Sequence, residues 1–406
     1  MKIYISGIAG TGMGPLALMA KAAGMEVYGS DKAEGAICGE LKRAGVNFEI
    51  SEQDGSYLRE HLAGLDWFVY TSALKEDHPE LKIAQEAGIK ITKRDELTAY
   101  LVQELGLKMV AVAGTHGKTT TTAMIVWTAL KLGLPVSYIV GTTLGFAASG
   151  AYHAGSKFFV YEADEYDRNF LKFKPWLAVL PFVSYDHPDI YPTRGDYEAA
   201  FLQFKSQSEK VIEPADVVVR SEDFKLAGRV RRLDAALAAT AIHEMAPEVE
   251  MKKIVEILNG FPGVGRRFEK LADGIYTDYA HHPEEIAATI DVAKEEAKLN
   301  GKKKVVVIYE PHQNTRQHEV LDEYLEAFRS ADRVYWLPTY LTRENPVLEV
   351  LKPEDFVAKL DGLVEAEAME MNEDLRQKIL EHQKAGDLVV LMTAGPADVW
   401  LRQNLA

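Results

Sequence analysis

The segment from Gly114 to Thr120 combines glycine, lysine and threonine at the spacing of a phosphate-binding turn. It reads GTHGKTT and follows the apolar run MVAVA, although Val112 stands where the full motif has its first glycine. Backbone amides of such a turn surround phosphate, a lysine offsets charge on the β- and γ-phosphates, and a hydroxyl binds Mg²⁺. We predict an ATP site formed by Gly114, Thr115, His116, Gly117, Lys118, Thr119 and Thr120. We expect Lys118 to be catalytic and exposed in this turn.

A second glycine-rich turn, SGIAGTGMG, follows the strand-like run KIYIS near the start of the chain. Glycines there let the backbone approach a diphosphate, whose charge the following helix N-terminus favours. Asp31 ends the next strand-like run, where it could bond a ribose or a base. The pattern alone is also compatible with an ordinary tight strand–helix connection. Two such turns predict two different bound nucleotides. The turn near the start of the chain would bind a nucleotide diphosphate that is part of the substrate, and the turn at Gly114 would bind the ATP that is cleaved.

Acidic and basic side chains follow several other apolar runs. Glu162 lies in YEADEYD, whose four carboxylates suit Mg²⁺, although a solvated acidic loop is the plain alternative. His187 in SYDHPDIY is a second possible metal anchor. Arg267 in GVGRRFE could stabilise a transferring phosphoryl group, although paired arginines are also common in surface salt bridges. Further polar residues follow two later strands, where α/β sheets bind ligands: Asp278, Tyr279, His281, His312 and Arg316.

Strand-length apolar runs alternate with helical patterns along the 406 residues. This alternation predicts α/β domains with mostly parallel sheets. We place three blocks at residues 1–107, 108–262 and 263–406.

The composition narrows the class of partner. The formal net charge of −15 argues against general binding to nucleic acid or to an anionic membrane. A single cysteine, Cys38, excludes a disulfide within the chain. No segment has the apolar length of a signal peptide or a membrane span, so we expect a cytoplasmic protein. The oligomeric state does not follow from the sequence.

Taken in order, the motifs resemble the Mur ligases, the ATP-dependent amino-acid ligases of peptidoglycan synthesis. The resemblance rests on GIAGTGM, GTHGKTTTT, EADEYD, DHPDIY, GVGRRFE, DYAHHPEEIAATI and EPHQNTR. It implies an N-terminal Rossmann-like UDP-binding domain, a central P-loop-type ATPase domain and a C-terminal Rossmann-like domain for the amino acid. It also implies ligation of L-alanine to the carboxylate of UDP-N-acetylmuramate through an acyl phosphate, with ATP and Mg²⁺. Ligation of a murein tripeptide, or UDP-sugar binding without catalysis, remains an alternative.

The same resemblance implies roles for individual residues. Thr119, Glu162 and His187 would bind Mg²⁺, and Glu162 and His187 would also be catalytic. Arg267 would act in catalysis and Asp278 would hold the ATP ribose. The UDP-sugar site would be formed by Gly10, Thr11, Gly12, Met13, Asp31 and Ser72. The amino-acid site would be lined by Tyr279, His281, His312 and Arg316, with His281 also catalytic.

Several positions depart from the family pattern. Val230 and Arg231 stand where the family usually has a histidine and an adenine-binding asparagine. Phe182 replaces an asparagine before the DH pair, and Gln313 replaces a frequent arginine. Recognition of adenine is therefore left open by the sequence.

Overall fold

The computed structural model describes residues 1–71, 74–187, 190–319, 321–342 and 344–405, which contain three mostly parallel sheets. They are divided between two compact units. Unit 1 comprises Met1–Phe224 and Leu233–Pro262, and unit 2 comprises Lys225–Arg232 and Gly263–Ala406. Among the described residues, no helix is both long enough and apolar enough to cross a bilayer.

The first sheet of unit 1 has five parallel strands in the order β3-β2-β1-β4-β5. Its core strand β1 contributes Ile3, Tyr4 and Ile5, all fully buried, as expected when helices cover both faces of a parallel sheet. The strands are β1 (Lys2–Ser6), β2 (Glu26–Asp31), β3 (Asn47–Ile50), β4 (Trp67–Tyr70) and β5 (Lys90–Lys93). The helices are α1 (Met13–Ala22), α2 (Cys38–Arg43), α3 (Ser56–His61), α4 (Pro79–Glu86) and α5 (Arg94–Glu104).

The second sheet has six strands in the order β11-β10-β6-β9-β7-β8, and only the β7–β8 pair is antiparallel. The strands are β6 (Lys108–Val112), β7 (Val136–Ile139), β8 (Gly150–Ala151), β9 (Phe158–Glu162), β10 (Leu177–Val179) and β11 (Lys210–Ile212). The helices are α6 (Lys118–Leu132), α7 (Arg194–Gln207), α8 (Arg229–Met245) and α9 (Met251–Asn259). Short 3₁₀ segments span Tyr166–Lys172, Pro214–Asp216 and Ser221–Asp223.

The first two sheets share one packed interior. A continuous cluster of buried apolar side chains extends from Ile3 under the first sheet to Phe204 on α7. At its rim, the buried carboxylate of Glu40 accepts hydrogen bonds from the amide and hydroxyl of Ser149, at 2.7 and 2.9 Å. Gly150 leaves no room for a side chain, because an added Cβ would overlap the carbonyl of Pro15 on α1. The turn after β1 and the loop after β6 are therefore held by one packed body.

The third sheet, in unit 2, has the order β12-β13-β17-β14-β15-β16, with only β12–β13 antiparallel. Its central strands β14 and β17 are buried throughout. The strands are β12 (Glu269–Ala272), β13 (Ile275–Asp278), β14 (Val305–Glu310), β15 (Arg333–Trp336), β16 (Glu365–Ala368) and β17 (Leu388–Thr393). The helices are α10 (Pro283–Leu299), α11 (Asn314–Glu319), α12 (Leu321–Ala327), α13 (Pro353–Leu360), α14 (Glu373–Ala385) and α15 (Ala397–Asn404). The predicted α/β class with three parallel-rich sheets is confirmed.

Candidate active site

The loop between β6 and α6 has a backbone that only glycine fits at two positions. Gly114 and Gly117 have φ of 149° and 83°, in the region that side chains disfavour. A Cβ at Gly114 would lie 2.6 Å from the carbonyl oxygen of Phe182, and one at Gly117 would lie 2.7 Å from a carboxylate oxygen of Asp234. The loop then enters α6 at Lys118, so its amides cluster at a helix N-terminus, which favours anions.

Two of the residues predicted to bind ATP, Thr115 and His116, use their side chains to contact neighbouring residues of the protein. The hydroxyl of Thr115 donates to the carbonyl of Ser184 at 2.6 Å and lies 2.7 Å from the hydroxyl of Tyr197. The ring of His116 stacks on that of Phe182, with centroids 5.7 Å apart. The side chains of Thr115 and His116 therefore attach the phosphate loop to the segment that follows β10 and to α7. Thr120 lies in the first turn of α6.

The expectation that Lys118 is exposed is wrong, since its side chain is only 15% exposed. Its ammonium donates to the carbonyls of Gly114 and Thr115, at 2.5 and 3.2 Å, and to Glu165 at 3.0 Å. Burial alone would lower the pKa of Lys118, but the nearby carboxylates of Glu165, Asp164 and Glu162 together outweigh burial, and the pKa is raised. Burial would likewise raise the pKa of Glu165, yet Lys118 and His187 lower it. Lys118 and Glu165 therefore form a buried ion pair.

Glu162 and Thr119 meet at the end of β9 beside the start of α6. The Thr119 hydroxyl donates to one carboxylate oxygen of Glu162 at 2.8 Å, and the amide of Gly141 donates to the other at 3.1 Å. Both residues present oxygen atoms, which are the ligands that Mg²⁺ prefers. The donor set of Thr119 and Glu162 therefore fits a magnesium ion.

His187 pairs with Glu165 in this structure. Its Nε2 lies 3.5 Å from Glu165 and 3.7 Å from Asp186, and its backbone has a φ of 59°. Burial would lower the pKa of His187, but the bond to Glu165 and the charge of Asp186 raise it. Sequence reasoning missed Glu165, although it lies in the EADEYD motif, because nothing in the spacing indicates which carboxylate faces Lys118.

The turn after β1 is closed by its own backbone. The amide of Gly10 donates to the carbonyl of Gly7 at 3.1 Å, and α1 begins at Met13, directly after Thr11 and Gly12. Asp31 accepts the amide of Ala9 at 2.9 Å, so its carboxylate supports the turn. Ser72, expected in the UDP-sugar site, lies outside the described residues.

Arg94 is a cation at this turn that sequence reasoning missed. A Cβ on Gly12 would overlap its Nη1, so the guanidinium lies against the N-terminal end of α1. Its other nitrogens lie 3.7 Å from Asp164 and 3.6 Å from Asp95. A cation opposes the helix dipole at this end, and a bound anion would relieve that cost. No sequence signal indicated this, because 82 positions separate the two residues along the chain.

In unit 2, Asp278 fixes the backbone around Arg267. Its two carboxylate oxygens accept the amides of Phe268 and Ala280, each at 2.7 Å. Burial raises the pKa of Asp278, and the charge of Arg267 acts against that rise. The guanidinium of Arg267 lies over the ring of Tyr279, 5.3 Å from its centroid.

The four residues predicted for the amino-acid site come together at the carboxyl edge of the third sheet. The ring centroids of Tyr279 and His281 are 5.4 Å apart, as are those of His281 and His312. Arg316 places Nη1 3.2 Å from Nδ1 of His312. Since a guanidinium can only donate, Nδ1 of His312 accepts and the ring proton lies on Nε2.

His281 has the opposite ring polarity. Its Nδ1 lies 3.0 Å from the carbonyl of Tyr279 and 3.3 Å from the carboxylate of Glu285. Both partners accept, so Nδ1 carries the proton. Neutral His281 therefore carries its lone pair on Nε2, whereas neutral His312 carries its ring proton on Nε2.

The chain matches three family models in order. These are the Mur ligase family catalytic domain over residues 2–104, the Mur ligase middle domain over residues 112–246, and the Mur ligase glutamate ligase domain over residues 266–395. Together these matches cover well over half of the chain.

Named relatives and solved structures agree with these matches. UDP-N-acetylmuramate–L-alanine ligase from Campylobacter jejuni strain RM1221 is 32% identical over 388 residues, 85% of this chain and 87% of the relative. The enzyme of that name from Fusobacterium nucleatum is 31% identical over 416 residues, 87% of this chain and 86% of the relative.

Among solved structures, UDP-N-acetylmuramate–alanine ligase from Thermotoga maritima shares the fold, with a TM-score of 0.80 at 23% identity, over 100% of this chain and 98% of that one. A murein peptide ligase from Psychrobacter arcticus has a TM-score of 0.67 at 23% identity, with the same coverage. Because family models and named relatives both match the chain along most of its length, the chain belongs to the Mur ligase family.

Proposed function

We propose that the protein joins L-alanine to the carboxylate of UDP-N-acetylmuramate at the expense of ATP, in peptidoglycan synthesis. We also propose residues 1–107 as the UDP-sugar domain, 108–262 as the ATP domain and 263–406 as the amino-acid domain. The relatives described above support this reaction, because two UDP-N-acetylmuramate–L-alanine ligases are 31 to 32% identical to this chain. The observation that carries the proposal is the buried Lys118–Glu165 pair beside the Thr119–Glu162 oxygen pair.

The first step transfers a phosphoryl group. A carboxylate oxygen of the sugar attacks the γ-phosphorus of ATP, the bond to the β,γ-bridging oxygen breaks, and ADP leaves. Lys118 and the loop amides offset charge that accumulates on the phosphate oxygens. Thr119 and Glu162 would hold Mg²⁺, with His187 as a further candidate ligand, and the bound ion would supply additional charge neutralisation. We assign Arg267 to the same charge and Asp278 to the ribose.

The second step joins the amine. The nitrogen of the amino acid attacks the acyl carbon and inorganic phosphate leaves. The ammonium must first lose a proton, and the Nε2 lone pair of His281 can accept it. Arg316, backed by His312, would bind the amino-acid carboxylate in a charge-assisted contact. Tyr279 would line the same amino-acid site.

The diphosphate of the UDP-sugar would bind the amides from Gly10 to Met13. Arg94 would add a positive charge at this point, since its guanidinium lies against Gly12. We assign Ser72 and Asp31 to the uridine, and Asp31 also supports the turn through the amide of Ala9.

The test is ADP release with UDP-N-acetylmuramate and a panel of amines. We expect turnover with L-alanine, less with L-serine or glycine, and none with murein tripeptide. Arg316→Met should raise the KM for L-alanine and leave ATP binding unchanged. Turnover with tripeptide and not with alanine would instead identify a murein tripeptide ligase, the candidate that the structural likeness to such an enzyme keeps open. Tight UDP-sugar binding without any ADP release would identify a non-catalytic binding protein.

A further inference from the structure

The helix that carries Arg316 is capped by a residue from a distant loop. Helix α11 has only six residues. Glu344 places one carboxylate oxygen 3.0 Å from the amide of Asn314 and the other 3.0 Å from the amide of Thr315. The same carboxylate also accepts the Thr315 hydroxyl at 3.2 Å and the amide of Thr342 at 3.0 Å.

Further bonds join the same loop to α11. The amide of Asn345 donates to the Thr315 hydroxyl at 3.0 Å. The buried side chain of Asn314 donates to the carbonyl of Glu349 at 3.0 Å and accepts the amide of Leu351 at 2.9 Å. The start of α11 is thus attached to the loop residues 344–351 by hydrogen bonds that each join a side chain to a backbone group.

A helix this short does not hold its own shape. Isolated helices below about 12 residues are marginal in water, and their first amides lack partners within the helix. A carboxylate at the N-terminus satisfies those amides and favours the helix dipole. Burial would raise the pKa of Glu344, but the amides of Thr315, Asn314 and Thr342 lower it. The carboxylate of Glu344 is therefore charged at neutral pH and bound to α11.

We propose that Glu344 is a positioning residue of the amino-acid site, which fixes α11 so that Arg316 reaches Nδ1 of His312 and faces the amino-acid carboxylate. This inference rests on the proposed function for the identity of the ligand. Glu344 itself is not expected to contact the amino acid. Its effect is on the direction of the Arg316 guanidinium.

The variant Glu344→Gln keeps the shape and replaces one accepting oxygen with an NH₂ group, which repels a backbone amide. We expect the KM for L-alanine to rise roughly ten- to a hundredfold, the scale of a displaced binding group. The KM values for ATP and UDP-N-acetylmuramate should stay within about twofold, because those ligands do not use α11. Glu319→Gln is the matched control, since it removes the same charge from an exposed position on the same helix.

Two further measurements separate positioning from mere stability. Thr315→Ala removes a donor to Glu344, and we expect a smaller rise in the same KM. An unchanged KM for L-alanine in Glu344→Gln, with or without a lower melting temperature, overturns the inference. If the wild-type enzyme turns over no amine, the proposed function fails. Hydrogen exchange at the amides of Asn314 and Thr315 then decides the positioning role, and unchanged protection in Glu344→Gln overturns it.

Discussion

Replacing Lys118 by methionine should destabilise unit 1 even without any ligand. The change leaves Glu165, whose side chain is 1% exposed, as a buried carboxylate without its ammonium. Removing one partner of a buried ion pair typically costs about 3–5 kcal/mol. His187 lies 3.5 Å from the same carboxylate and supplies part of the lost charge. We therefore expect a loss near the lower limit, about 3 kcal/mol.

The double variant Lys118→Met/Glu165→Gln should recover much of this loss. A neutral glutamine removes the unpaired charge, so the interaction term of the double-mutant cycle should be about 2 kcal/mol. The assay is urea unfolding of wild type, both single variants and the double variant, without nucleotide or magnesium, at constant pH near neutrality. An unchanged slope against urea would confirm that stability alone has moved. A Lys118→Met protein as stable as wild type, or a double variant no more stable than Lys118→Met, would refute the buried-pair reasoning.

Three other outcomes can be checked directly. Gly150→Ala should lower the unfolding free energy by roughly 1–3 kcal/mol, because its Cβ meets the backbone of Pro15, whereas Gly145→Ala, which meets open space, should change it little. Arg94→Met should raise the KM for UDP-N-acetylmuramate on the order of tenfold at constant kcat, as loss of a uniform binding contact does, and a fall in kcat alone would contradict this. Because the folded pKa of Glu344 is lowered, its charged form stabilises the fold above the unfolded pKa, and this contribution is lost as the pH falls through the folded pKa. The unfolding free energy should therefore fall less steeply with acid in Glu344→Gln than in wild type.

The sequence allowed the fold to be predicted because local patterns carry it. The run KIYIS became β1, and the next strand-like run became β2, which ends at Asp31 as expected. Alternation of such runs with helical patterns leaves few topologies open. Motif spacing likewise predicted the phosphate loop, and the resemblance to the Mur ligases, rather than the spacing, grouped His281 with His312.

The contacts that decide side-chain roles could not be predicted in this way. Lys118 was expected to be exposed and instead contacts Glu165, since burial depends on what packs over the loop. Arg94 and Glu344 act on elements far from them in the sequence, and no local pattern records such a contact. The hydrogen bond from the amide of Ala9 to the Asp31 carboxylate is a further contact that the sequence did not indicate, and the ligand contact of Asp31 remains a prediction.

The cluster of buried side chains shared by the first two sheets links their stabilities. Because unfolding either sheet would expose apolar surface of the other, both should unfold in one transition. A ligand present at a hundred times its Kd raises the unfolding free energy of such a cooperative body by about 2.7 kcal/mol, wherever on that body it binds. UDP-N-acetylmuramate bound at the turn after β1 should therefore increase the protection of the amides of α6 against hydrogen exchange, although α6 packs on the other sheet. Exchange in α6 would then report the occupancy of a nucleotide site in the layer of the first sheet.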